Sequence, residues 1–153
     1  MAINEIEAKE KFEKFLMEMD DQLESLEDIA SSKNINLDLT ISSVDKLEKL
    51  FNLMATNLDK NTKDSLIVTF ARYLGEIVRN TYGGQWTLPL DDPKNINFNT
   101  PVITGHTQGG LEFAPISVMR AFALRRNPGT LKRAIDADIN INPVDLNGLI
   151  EEE

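Results

Sequence analysis

The first strong pattern along the chain is a stripe of apolar residues, Phe12, Leu16, Met19, Leu23 and Leu26, spaced by alternating steps of four and three. Such spacing keeps side chains on one side of a helix and predicts one over 4–31, with acidic residues on the rest of its surface. The stripe reads as the side that packs on the core, the alternative being a coiled-coil seam for a partner or a second copy. Residues 35–41, INLDLTI, alternate at period two and predict a short extended segment. Ser42, Ser43 and Asp45 then mark a helix start, where a serine hydroxyl can accept from the first free amides and an acid suits the positive helix end. The helix they open carries Val44, Leu47, Leu50, Phe51, Met54 and Leu58 on one face, and a polar run at 57–61 reads as the loop after it.

A third helix, over 62–82, is apolar around most of its circumference and should be buried. Its one polar line is Ser65, Thr69, Arg72, Glu76 and Arg79. Gly75 sits on the line Val68, Ala71, Gly75, Val78. Glycine inside a helix costs about 0.5–1 kcal/mol relative to alanine, so close approach of another element is expected there. Gly83 and Gly84 stop the helix. Beyond them Trp86, Leu88 and Leu90 alternate, and residues 101–105 and 111–114 flank the turn HTQGG, which together predict three short antiparallel strands. Pro115 opens a helix whose Ile116, Met119, Phe122 and Ala123 face inward, and Thr130 caps a last helix through about residue 137. The expected fold is α+β, a helical body with a buried central helix packed on a small antiparallel sheet. One domain over 1–140 would be followed by a loosely packed acidic tail at 141–153.

Charge narrows the functional classes. The net charge is -9 over 153 residues, which argues against nucleic-acid binding, where clustered Lys and Arg supply affinity. Acids crowd the first helix, including Glu13, Glu18, Asp20 and Glu24, whereas Arg120, Arg125, Arg126, Lys132 and Arg133 make the segment 120–133 basic. An acidic helix face can steer a basic partner, although solvated faces are the plainer reading. There is no cysteine, which excludes disulfides and thiolate chemistry. The charged start and the lack of an apolar run of about 18 residues give the expectation of a cytoplasmic protein without a membrane partner.

Chemistry is sparse. His106, the one histidine, lies in a glycine-rich turn with no second His and no nearby paired carboxylate in sequence, and reads as an ordinary turn residue before a general base. Glu76, with Arg72 four residues before it and Arg79 three after, reads as a carboxylate held between two guanidiniums, hence a fixed anchor or part of a recognition surface. The glycine pairs lack the strand-loop-helix context of a phosphate loop, and Asp91-Asp92 lacks calcium-loop spacing. No catalytic residue, cofactor or metal is expected.

Two stretches carry a resemblance: Leu37, Asp38, Ser43, Leu47 and Glu48, then Tyr73, Leu74, Gly75, Glu76, Gly83, Gly84 and Trp86. They resemble small uncharacterised bacterial proteins with a YLGE…GG.W helix-to-strand junction, similar to immunity or accessory proteins of secreted toxins. The resemblance covers about a third of the chain. It implies a binding protein and assigns no site residue. Joined to the acid excess of the first helix and the lack of an active-site motif, it gives the expectation of a non-enzymatic immunity-type protein that engages a basic toxin domain, with Glu13, Glu18, Asp20, Glu24, Arg72, Glu76 and Arg79 as the expected partner-binding residues. A self-associating accessory protein using the N-terminal helix is the alternative, and a small enzyme around His106 stands third.

Overall fold

Helix α4 (Lys60–Tyr82) is the centre of the fold because so little of its circumference is polar. Ile67, Phe70, Ala71, Tyr73, Leu74, Ile77 and Val78 are all buried along it. In the computed structural model, which describes residues 4–139, α4 packs chiefly on α5 (Pro115–Arg125) and on α2 (Met19–Ser32). Helices α3 (Ser43–Met54) and α6 (Thr130–Ile139) close the other side. Phe51 of α3 ties these layers together. Its ring meets Phe70 edge-on at 5.1 Å and Phe122 at 5.9 Å, geometries that suit the aromatic quadrupole. The fold is α+β, mostly helical. The tail expected at 141–153 lies outside the described residues.

The long first helix is in fact two, α1 (Glu5–Met17) and α2, joined at Glu18. No proline or glycine causes the break. Arg72 of α4 donates to the Phe15 carbonyl, the acceptor an unbroken helix would give to the Met19 amide, and a side chain inserted into the ladder bends a helix. Of the apolar stripe, Met19, Leu23 and Leu26 are buried, Phe12 is partly buried against the core and Leu16 is exposed, while Phe15 beside the stripe is buried as well. The α2 part of the stripe is therefore taken up by the core.

The segment 35–41 forms no strand. Ile35 and Leu37 are buried as expected of alternation, but the backbone finds side-chain partners in place of a neighbouring strand. The Leu39 amide donates to the Tyr73 hydroxyl (3.0 Å) and its carbonyl accepts from Asn80 (3.0 Å). Ser43, not Ser42, carries the turn: its hydroxyl donates to Asp38 (2.7 Å) and accepts from the Asp38 amide (3.0 Å). Helix α4 starts slightly earlier than expected because Asp59 caps it, accepting from the Thr62 amide at 2.8 Å.

The sheet is smaller than the alternation suggests. Strands β1 (Gln85–Thr87) and β2 (Val102–Thr104) pair antiparallel with Trp86 opposite Ile103. The expected third strand contributes one bridge, Phe113 to Ile103. The glycines that end α4 position this sheet: Gly83 takes φ 86° and Gly84 φ 97°, and a Cβ on Gly84 would strike the Thr104 carbonyl. Trp86 is thereby swung back against α4. A Cβ on Gly75 would overlap the Trp86 ring and come 3.2 Å from Pro115, so the close approach expected at Gly75 is made by an indole and a pyrrolidine ring.

Candidate functional site

The polar line of α4 divides in two. Arg72 turns away from Glu76 toward the α1/α2 junction, where its guanidinium lies 4.0 Å over the Phe15 ring and 3.7 Å from the Glu18 carboxylate. Burial lowers its pKa, and Glu18 opposes that shift. Glu76 instead accepts from Arg79 Nη1 (2.9 and 3.0 Å) and from Trp86 Nε1 (2.6 Å). Arg79 also donates to the Gly84 carbonyl at 3.2 Å. The carboxylate clamped between two guanidiniums is thus corrected to one guanidinium and one indole, because Arg72 is claimed by the bend it creates. This group locks the helix-to-strand junction. It leaves Arg79 partly exposed and Arg72 with almost no surface to offer a partner.

His106 is not an ordinary exposed turn residue. Its side chain is fully buried and its Nε2 pairs with the Asp138 carboxylate in the last turn of α6. The carboxylate that seemed missing comes from 32 residues downstream. His106 Nδ1 and Thr107 Oγ1 are buried without a hydrogen-bond partner among the described residues. An imidazole with no exposed atom has no route to a substrate in this conformation, so the pair reads as a tie between the loop after β2 and α6.

Two further buried polar arrangements escaped the sequence reading. Glu48 of α3 accepts from the Gly129 and Leu131 amides, both at 2.9 Å, and so caps α6 from another helix. Its position on the apolar stripe between Val44 and Phe51 was the available signal. Tyr73 donates to Glu27 at 2.8 Å, and burial, with Glu27 adding, pushes its pKa well up.

The expected acidic residues take different roles. Glu18 is half-buried beside Arg72, whereas Glu13, Asp20 and Glu24 are exposed. Asp20, Glu24 and Asp28 follow one another at one-turn spacing on the outer side of α2, with Asp21 beside them, all exposed. None of the four is in an ion pair among the described residues, and α2 contains no Lys or Arg.

A concavity lies elsewhere, a groove of about 680 Å³ between α1, the chain after β1 and the start of α5. Ala8, Phe12, Phe15, Leu88, Pro101 and Ile116 make it apolar. Glu7 and Lys11, paired at 3.2 Å, stand at its rim with Asn4 and Asn99. The described residues contain no group of three or more His, Cys, Asp or Glu placed to hold a metal, and no helix long and apolar enough to cross a membrane. Comparison with known proteins brings no match among family models, curated proteins or solved structures.

Proposed function

We propose that the protein is a non-enzymatic cytoplasmic binding protein that engages a basic protein partner through the outer face of α2, in the manner of an immunity protein occluding a toxin domain. The observation that carries this reading is the row Asp20, Glu24 and Asp28 with Asp21, exposed and unpaired. Like charges one helical turn apart weaken a helix by about 0.2–0.5 kcal/mol per pair. The α2 N-terminus favours Asp20 and Asp21, but no cation among the described residues pairs with the row, whereas a cationic partner would. The burial of His106, the structural engagement of Glu76 and Arg79, and the YLGE…GG.W resemblance support binding over catalysis. Glu13 extends the face onto α1. Glu18 and Arg72 leave the proposed contact set, since each is committed to the α1/α2 bend.

The test uses the purified basic domain of a toxin encoded beside the gene. Reversing Asp20, Glu24 and Asp28 to lysine should slow association by about tenfold or more at low salt, with little change in dissociation. An unchanged on-rate at low salt would falsify the acidic-face reading, and a gene neighbourhood without a toxin-like frame would remove the immunity reading.

A further inference from the structure

We infer that the groove beside α1 is the contact surface for a second copy of this chain, related by a twofold axis that crosses two α1 helices antiparallel midway between Glu7 and Lys11. The rim charges choose this occupant. Glu7 and Lys11 are one turn apart, 61% and 76% exposed, and opposite in sign. Antiparallel helices crossing between them place Glu7 of each copy against Lys11 of the other, so the surface complements itself, as a twofold contact requires. A basic partner is drawn to α2, where there is no cation; the groove rim offers one charge of each kind and gives such a partner no preference.

The same wall of the groove carries a matching projection. Residues 89–99 form a closed loop, with the Asn99 amide donating to the Pro89 carbonyl at 2.8 Å, and Leu88 and Asn99 at its base line the groove. At its tip Ile96 is 95% exposed. It is held there rigidly. Asn95 and Asn97 on either side both donate to the Glu112 carboxylate (3.0 and 2.9 Å), and Asn95 also accepts from the Asn97 amide (2.9 Å). Hydrogen bonds that tie the residues on either side of Ile96 leave its backbone less freedom to lose when a contact forms, which favours association. With projection and groove side by side on one subunit, a twofold axis exchanges them reciprocally. This surface is separate from the α2 face and does not depend on the function proposed there.

Sedimentation equilibrium of the full chain should show a monomer–dimer equilibrium, and Ile96→Asp should weaken it by about tenfold or more. Glu7→Lys and Lys11→Glu should each be monomeric alone, because each rim then carries one sign, and an equimolar mixture of the two should restore the dimer. Circular dichroism on each variant separates loss of contact from loss of α1. A wild-type chain that stays monomeric at 100 µM (about the top of a useful weak-dimer range) overturns the proposal, as does a mixture that fails to associate. Trp86 meets Phe15 edge-on at 5.0 Å and so reports on the groove. A shift in its fluorescence with 1-anilinonaphthalene-8-sulfonate, in a wild type that never dimerises, would assign the groove to a small apolar ligand instead.

Discussion

Gly75 and Trp86 fit tightly enough that a Cβ at 75 would overlap the indole, and the fit can be tested directly. A methyl at position 75 would overlap the indole, which cannot retreat because Glu76 holds its Nε1 at 2.6 Å and Phe15 packs on its face. Gly75→Ala should lower stability by about 1–3 kcal/mol despite alanine's better helix propensity, as measured by urea unfolding. Adding Trp86→Phe should recover part of the loss, since a phenyl ring ends short of the clash, and a double-mutant cycle would read the coupling. Strict additivity of the two changes would show that the ring is not what excludes a side chain. Glu48 is the second residue of this kind. Glu48→Gln keeps the shape but gives up the charge on two buried amides, and should cost about 1–2 kcal/mol by the same measurement. The need for a small residue at 75 was legible in sequence because a glycine in a buried helix is an anomaly. That it answers to Trp86, eleven positions on, was not, since only the turn at Gly83 and Gly84 brings that ring back.

Among the elements, α4 and α5 were legible from periodicity, and their inward faces match the expected residues at Ile116, Met119, Phe122 and Ala123. Helix α1 and α2 were read as one because periodicity runs through Glu18, and the break comes from Arg72 on a distant segment. Likewise 35–41 alternates like a strand but has side chains, not a strand, beside its backbone. Such tertiary partners carry no local signature. The serine cap expected for α3 makes no hydrogen bond to its first amides; two carboxylates held by local hydrogen bonds, Asp59 capping α4 and Asp38 before α3, make a pH prediction instead. Backbone and side-chain hydrogen bonds from Thr62 hold Asp59 below its ordinary pKa, and Thr40 and Ser43 do the same for Asp38. A carboxyl whose folded pKa is depressed adds stability above its unfolded pKa of about 4 and loses it as pH falls through the folded value. Unfolding midpoints should therefore drop on acidification below about pH 4, and Asp59→Asn should flatten that slope. A slope unchanged by the substitution would show that the cap does not couple to protonation.

For the whole molecule, the proposed binding role of the acidic row sets partner association against stability. Changing Asp20, Glu24 and Asp28 to their amides should raise the thermal midpoint at low salt, by about 0.2–0.5 kcal/mol per relieved pair, and the gain should shrink as salt screens the row. The same variant should bind a basic partner more slowly. A variant both less stable and unaffected in binding would mean the row serves the fold. The candidate site was half legible at this scale: the acid excess could be counted, but which acids are free could not. Glu18 looked equivalent to Asp20 until Arg72 was seen beside it, and His106 looked unaccompanied until α6 supplied Asp138.

Arg72 has one more consequence, for motion. Among the described residues α1 buries only Ala8 and Phe15, so it is a lightly moored arm, held by Phe15 against Trp86 and by the Arg72 guanidinium that donates to the Phe15 carbonyl and covers its ring. Such an arm lifts before the rest of the fold does. Amides of α1 should exchange with solvent faster than those of α4. Arg72→Leu should speed α1 exchange about tenfold or more while α4 stays protected; equal acceleration everywhere would show that the arm and the body open together. When the arm lifts, the groove loses one wall and Trp86 loses the ring that covers it. A side chain on the buried helix thereby governs how often the outer surface of the protein exists at all.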